Sequence, residues 1–310
     1  MNEETHCHPL LDVVWESLSR IPPTISPQWF YDSQGSALFD QITAQPEYYL
    51  TRCELEILSQ AGADIADWLG HQAVVLELGA GNGEKATTLS RALHEPLAYV
   101  PVDISPASLD IAVKAIRRAI PGLKVEALCH DFLEEVPWPT IPASRRCVVF
   151  FGSTIGNMEP QEAAHWLGKL RGSLEAHDRV LLGVDLKKDT RLLNAAYNDA
   201  AGITARFNRN ALAHLNRALG TDFEVDAFLH HAAYNPDKGR MDMYLEALRP
   251  QTVHIGDRTM YFALGDRIHT ESSYKYTIEE FQVLAEQAGF RCERVWLDER
   301  DWFSLHGLLP

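Results

Sequence analysis

The sequence contains no CxxC pair, no run approaching ~18 apolar residues, no excess of basic residues and no low-complexity tract or internal repeat. Its five cysteines (Cys7, Cys53, Cys129, Cys147, Cys292) are odd in number, widely spaced and mostly inside apolar runs. Neither a zinc ribbon nor a dithiol redox centre is therefore expected, and the thiols read as reduced and buried. The missing apolar run excludes a membrane-spanning helix. With 43 acidic against 28 basic residues the formal net charge is −15, and no Lys/Arg-rich run is interleaved with aromatics. Such a surface repels a polyanion and gains little from counterion release, so no nucleic acid is expected and a small molecule is the favoured partner. Metal-ligand spacing is also missing. His6-Cys7-His8 reads as a terminal tract, and His230-His231 would point to opposite faces of a strand. No metal is assigned. The opening Met-Asn-Glu-Glu is acidic and polar, unlike the basic start and apolar run of a signal peptide, so a cytoplasmic location is expected.

What is present is an ordinary globular composition, 46% hydrophobic and 23% charged over 310 residues. That length suits one large domain with an insertion, or two domains. The most informative stretch is Val74-Val-Leu-Glu-Leu-Gly-Ala-Gly-Asn-Gly-Glu-Lys85. Four apolar residues in five read as a strand buried on both faces, and three glycines let the backbone turn and approach a ligand. A helical pattern follows at 86–93, giving the nucleotide-binding turn of a doubly wound α/β sheet. A dinucleotide fingerprint would place its third glycine at position 84, which is Glu84. The next strand, 97–103, ends in Asp103, which could accept both ribose hydroxyls of an adenosine, in NAD or in S-adenosylmethionine. Asp103 could equally cap the helix that opens at Ser105-Pro106. A third strand closes on Asp131-Phe132, an acid and a ring for the edge and face of adenine. Taken in series these three sites follow the order of class I methyltransferases, which favours a methyl donor over nicotinamide.

Strands at 146–151 and 179–185, separated by helical patterns at 106–119 and 160–174, complete a strand–helix alternation that predicts a parallel sheet. Usual crossover handedness places all these loops at its C-terminal edge. After Lys188 the regime changes. Residues 189–219 read as helix, and 223–231, 240–248, 251–256 and 259–265 as a strand meander with turns at 235–239 and 256–257. The tail returns to the first pattern, with helix 277–288, Gly289 as C-cap, strand 292–297 and a final strand near 302–305.

Longer motifs carry a resemblance. Trp29-Phe-Tyr-Asp-Ser-Gln-Gly-Ser-Ala-Leu-Phe-Asp-Gln-Ile42, Pro46-Glu-Tyr-Tyr-Leu-Thr-Arg52, Phe151-Gly-Ser-Thr-Ile-Gly-Asn157 and Thr270-Glu-Ser-Ser-Tyr-Lys275, with Asp185–Thr190 and Tyr197–Gly202, resemble the histidine Nα-methyltransferases of ergothioneine biosynthesis. The resemblance covers nearly the whole chain from Pro22. It implies a class I fold with a mostly parallel seven-stranded sheet, and a second α+β domain built from the N-terminus and an insertion. The donor domain would be 55–188 with 276–310, and the substrate domain 1–54 with 189–275. S-adenosylmethionine would be the co-substrate, contacted by Gly79, Lys85, Asp103, Asp131 and Phe132. Tyr48 and Asn157 would hold the substrate α-amino group, Tyr31 and Tyr197 the carboxylate side, Glu271 and Ser273 the imidazole, and Met243 would lie beside the ring. The implied reaction is trimethylation of L-histidine to hercynine by a monomer.

The residue chemistry agrees. An imidazole offers one N–H donor and one acceptor nitrogen, so a carboxylate beside a hydroxyl satisfies both edges. Phenolic donors can bind a carboxylate in a pocket without a basic residue. Three rivals remain. A related enzyme could act on tryptophan or another amine, against which Glu271 and Ser273 argue. The chain could be a non-catalytic S-adenosylmethionine-binding regulator, which the Tyr48/Asn157 pair disfavours. An NAD oxidoreductase is disfavoured by Glu84 and the lack of a hydride-site acid or base. Asn157-Met-Glu-Pro160 also lacks the aromatic that base-flipping amino-methyltransferases place after Asn-Pro-Pro.

Overall fold

The computed structural model describes residues 9–138, 141 and 145–310. Its strands begin with β1 (Ala73–Leu78), β2 (Ala98–Asp103), β3 (Lys124–Val125), β4 (Leu128–Cys129), β5 (Arg145–Phe150) and β6 (Arg179–Asp185). The insertion adds β7 (Phe228–Asn235), β8 (Arg240–Ala247), β9 (Gln251–Ile255), β10 (Arg258–Phe262) and β11 (Arg267–Tyr274). Then come β12 (Arg291–Leu297) and β13 (Phe303–Leu309). The chain divides into two compact units: one holds the chain up to Tyr48 with Thr190–Ser272, the other Tyr49–Asp189 with Ser273–Pro310.

The second unit is the expected α/β sheet, in the order β12-β13-β6-β5-β1-β2-β3. Pairing is parallel from β6 through β5, β1 and β2 to β3, and antiparallel at β13 and β12. Every residue of β1 is buried, Glu77 included, as befits a central strand covered on both faces. Val74, Leu76, Val100, Val148, Phe150, Val180 and Leu182 form the core on one face, with Trp166, Phe281 and Leu284 from the covering helices. Helix Ile278–Gln287 starts at a capping box in which Thr277 and Glu280 satisfy each other's backbone N–H. Strand order reverses between β1 and β5, so the loops after these strands open at the switch point where such sheets bind ligands.

One sheet position departs from expectation. The anticipated third strand is broken into β3 and β4, both paired to β2, so that eight strands fill seven places. Glu126, between them, still donates its N–H to Tyr99 O at 3.2 Å, but regular pairing stops there.

The first unit also differs in detail from its sequence pattern. The helical stretch 189–219 is two helices, Thr190–Ala196 and Ile203–Leu219. Asp199 interrupts it, because its carboxylate accepts the N–H groups of Ile203 and Thr204, both at 2.7 Å, and so caps the second helix. The strand expected at 223–231 is displaced by a short 3-10 turn at Val225–Ala227 and runs as β7. The meander resolves into a three-stranded sheet, β11-β8-β7, and a separate β9–β10 hairpin. Cys53 and Cys147 are buried as anticipated, but Cys129 is exposed at the tip of β4 and Cys292 is half-buried. The His6-Cys7-His8 tract and Cys7 lie outside the described residues. Among the described residues no helix is long and apolar enough to cross a membrane.

Candidate active site

The turn after β1 keeps Gly79, Gly81 and Gly83 at φ of 69°, 52° and 75°, the left-handed region that glycine enters without strain. At Gly83 a side chain is excluded outright, since a Cβ would lie 2.8 Å from Ala112 Cα. At Gly81 a Cβ would meet no heavy atom within 4 Å, so the turn leaves its open side clear. Gly79 and Ala80 donate to Val102 O at 2.9 and 3.1 Å, tying the turn to the end of β2.

Asp103, the last residue of β2, sits beside that turn. Its Oδ2 accepts from Gly81 N at 3.1 Å and its Oδ1 from Ser105 N at 2.9 Å. Burial pulls this carboxyl above its ordinary value, against the opposing backbone donors. The capping alternative fails in its simple form: Ser105, not Asp103, is the N-cap of helix Pro106–Ala119, its Oγ accepting from Ser108 N. Asp131 Oδ1 accepts from Leu133 N at 2.9 Å. Phe132 packs edge-on against Phe150 at 5.2 Å and within van der Waals reach of Gly79, while Trp166 donates to its carbonyl. Glycine turn, Asp103 and Phe132 are thus one locality.

Lys85, in the first turn of helix Glu84–Ala92, has a partner that the sequence reading missed. Its ammonium lies 2.7 Å from Glu54 Oε2, and Glu54 is fully buried. The same carboxylate accepts from Gly152 N at 2.9 Å. Burial raises the Glu54 carboxyl, with Lys85 pulling against it. Close approach demands glycine again at 183, where a Cβ would lie 2.1 Å from Glu54 Oε1. The signal was present in the sequence. Glu54 occupies the apolar stripe of helix Leu50–Gln60 with Leu50, Cys53, Ile57 and Leu58.

Asn157 ends the 3-10 turn Thr154–Asn157 that follows β5, entered through Ser153 at φ 57°. Gly156 within it approaches Tyr274 so closely that a Cβ would sit 2.7 Å from the carbonyl. Ser273 lies near the end of β11 and accepts from Lys275 Nζ at 2.8 Å. Lys275 is fully buried and pairs with Asp185 Oδ2 at 2.7 Å. Asp185 also takes the Tyr49 hydroxyl at 2.9 Å and the Lys188 ammonium. Burial pulls the Asp185 carboxyl up, but Lys275 and Lys188 outweigh it and hold it below the usual carboxylate range. Tyr49 is accordingly tied into the buried Asp185 network. Lys188 and Lys275, both within the motifs quoted above, are paired with Asp185.

In the other unit, Tyr31 follows the 3-10 turn Pro27–Phe30. Asp32 next to it accepts from Gly35 N at 2.7 Å and Asn210 Nδ2 at 2.9 Å, which fixes the chain direction at Tyr31. Tyr31 and Tyr48 both pack edge-on against Phe39, at 6.0 and 6.2 Å, and Tyr31 also against Phe207 at 5.6 Å. Tyr197 is buried just beyond helix Thr190–Ala196, its carbonyl 2.9 Å from His230 Nε2. Met243, on β8 opposite Ala232, is buried, as is Glu271 on β11. Among the described residues no group of three His, Cys, Asp or Glu stands where it could hold a metal ion.

Comparison with known proteins bears on these residues. A family model described as a histidine-specific, S-adenosylmethionine-dependent methyltransferase matches residues 10–309. The histidine N-alpha-methyltransferase of Mycolicibacterium smegmatis is 42% identical over 294 residues, covering 93% of this chain and 91% of the relative. Ergothioneine biosynthesis protein 1 of Neurospora crassa is 30% identical over 279 residues, covering 86% of this chain but 31% of that longer protein. Among solved structures, the mitomycin 7-O-methyltransferase MmcR superposes with a TM-score of 0.51 at 14% identity, over 97% of this chain and 66% of that one, a likeness of fold.

Proposed function

Because the chain belongs to the histidine-specific, S-adenosylmethionine-dependent methyltransferases, we propose that it trimethylates the α-amino group of L-histidine to hercynine, the first step of ergothioneine biosynthesis. The observation that carries this reading is the 42% identity, over nine-tenths of both chains, to a histidine N-alpha-methyltransferase. The reaction is assigned to a cytoplasmic monomer acting on a small molecule, in keeping with the net charge of −15.

The residues fit the methyl donor. The clear side of Gly81, the Asp103 carboxylate and the Phe132 ring offer, in one locality, backbone approach, a ribose acceptor and an aromatic face. We assign donor binding to Gly79, Lys85, Asp103, Asp131 and Phe132, within 55–188 and 276–310. S-adenosylmethionine supplies, when bound, a methyl group made electrophilic by its sulfonium. The protein's own task is to present a neutral amine in line with that methyl, and positioning of this kind contributes up to ~7–11 kcal/mol.

Substrate binding is assigned to residues within 1–54 and 189–275, with Asn157. Tyr31 and Tyr197 bind the carboxylate side, Glu271 and Ser273 read the imidazole, and Met243 lines the ring. Tyr48 and Asn157 are the proposed catalytic pair, orienting the α-nitrogen. A free α-amine is mostly protonated at neutral pH, and its proton leaves to water before each transfer.

Incubating purified protein with S-adenosylmethionine and L-histidine, and following products by mass spectrometry, tests the reading. Mono-, di- and trimethyl histidine are expected to appear in turn. Equal turnover of tryptophan would sink the claim of histidine specificity.

A further inference from the structure

Glu54 holds two groups at once. Its Oε2 pairs with the Lys85 ammonium at 2.7 Å, and its two oxygens accept the backbone N–H of Gly152 at 3.0 and 2.9 Å. The carboxylate is fully buried, so these partners stand in for the water it gave up. Gly152 lies at the head of the turn that ends in Asn157. Glu54, Lys85, Gly152 and Asn157 all belong to the second unit.

The head of this turn needs a hold from outside. Gly152 and Ser153 are consecutive left-handed residues, at φ of 77° and 57°. Glycine enters that region freely, whereas a serine does so at a cost in energy. A Cβ at Gly152 would lie 3.2 Å from Lys85 Nζ, so the ammonium and the turn are packed against each other. The Asp185 N–H, donated to Ser153 Oγ at 2.9 Å, holds the serine side chain and leaves the Gly152 peptide to Glu54. Beyond this point the turn closes on itself. Thr154 Oγ1 donates to Phe151 O at 3.0 Å, and Gly156 N to Ser153 O at 2.9 Å. A displacement at Gly152 is therefore passed on to Asn157 rather than absorbed between them.

We propose that Glu54 is a positioning residue for methyl transfer: its carboxylate, held by Lys85, accepts the Gly152 N–H and so sets where Asn157 meets the α-amine. The inference rests on the reading that Asn157 orients the amine. Glu54 acts through the backbone and needs no contact with either substrate. Lys85 then has two tasks, the donor contact and the counter-charge that keeps Glu54 in place.

The test compares two double variants of the full chain, Glu54→Gln/Lys85→Met and Glu54→Leu/Lys85→Met. Both lack the charge pair, so neither strands a buried ion, and both lose the Lys85 donor contact equally. They differ in one respect: the glutamine amide oxygen can still accept the Gly152 N–H, and leucine cannot. Transfer to L-histidine and to its mono- and dimethyl forms is followed by single-turnover mass spectrometry at saturating S-adenosylmethionine. Affinity for S-adenosylhomocysteine is measured by titration calorimetry. The leucine form is expected to make the first transfer about tenfold or more slower than the glutamine form, since a misplacement of about 1 Å can cost on the order of 100-fold. The gap should be smallest at the third transfer, the profile expected of Asn157→Ala. The two forms should bind S-adenosylhomocysteine alike, and adding Asn157→Ala to both should close the gap, because both changes act on one contact. Glu54→Asp, with Lys85 kept, draws the carboxylate back from Gly152 by one methylene. It covers the case in which the leucine form does not fold, and should show the same profile against the parent.

Equal first-transfer rates in the two double variants would overturn the proposal. So would a gap that persists with Asn157→Ala, or slowing of equal size at all three transfers, either of which would make Glu54 a support of the fold alone. If Asn157→Ala by itself leaves all three transfers untouched, the reading of Asn157 falls and the inference with it. A first-step defect in Asn157→Ala, with none separating the Glu54 variants, would overturn the inference alone.

Discussion

Asp103 receives a backbone donor on each oxygen, from Gly81 and from Ser105, before any ligand arrives. Each oxygen keeps a further lone pair for a ribose hydroxyl. Charge-assisted hydrogen bonds of this kind contribute about 1.5–3 kcal/mol each. Asp103→Ala is therefore expected to weaken S-adenosylhomocysteine binding tenfold or more by titration calorimetry, with the circular dichroism spectrum retained; unchanged affinity removes Asp103 from the donor site. Lys85 answers to a different demand. Removing it strands the buried Glu54 carboxylate, and breaking a buried pair in this way costs about 3–5 kcal/mol. Lys85→Met should lower the urea midpoint accordingly, and adding Glu54→Gln should recover much of the loss. If the midpoint stays put, the pair is not structural. Asn157 is assigned to the amine in the proposed reaction. The free amine offers two N–H groups, the monomethyl amine one and the dimethyl amine none, so an amide oxygen loses its partner as methylation proceeds. Asn157→Ala is expected to slow the first transfer most and the third least in single-turnover mass spectrometry, and equal slowing at all three would reduce Asn157 to a wall of the pocket.

At the scale of elements, β13 carries a buried histidine. His306 packs at a tilt against Phe281, ring centres 4.6 Å apart, with Ser304 Oγ at 2.9 Å, and burial pushes its imidazole down to about 3. It folds neutral, while the unfolded chain takes up a proton below about 6.5. Its contribution is thus complete above about 6.5 and is lost as pH falls toward 3, amounting to about 2 kcal/mol by pH 5. His306→Gln should flatten the fall in urea midpoint between pH 7 and pH 5; a fall as steep as that of the parent protein would assign the acid sensitivity elsewhere. Legibility also divides by element. β1 and its glycine turn were readable because a central parallel strand is apolar at nearly every position, Glu77 being the exception here, and because its turn sets three glycines in the left-handed region. The break at Asp199 was not, because the carboxylate captures two N–H groups of the next helix, a competition that periodicity does not register. The Glu54–Lys85 and Asp185–Lys275 pairs were invisible as pairs, since their members lie far apart in sequence and burial alone makes them partners. The bond from Tyr49 to Asp185 was hidden for the same reason.

At the scale of the molecule, neither unit is continuous in sequence. The sheet unit is interrupted by Thr190–Ser272 and resumes at Ser273. Its strand β13 lies between β12 and β6, bonded to both. A chain stopped after Leu297 would leave the whole edge of β6 unpaired and β12 with no strand to join. Such an edge is an aggregation hazard. The truncated protein is expected to be insoluble or to lack cooperative thermal unfolding, and a soluble form that still binds S-adenosylhomocysteine would contradict this.

The same placement of β13 sets a timetable for the nascent chain. β6 leaves the ribosome long before β13, because the insertion, helix Ile278–Gln287 and β12 are all translated in between. At ~5–20 residues per second the wait is on the order of ten seconds. During that interval four parallel strands can associate around β1 while one flank of β6 stays bare, open to a chaperone or to the flank of a neighbouring polysome product. Changing the translation speed across 190–302 is therefore expected to change the fraction of newly made protein that is soluble.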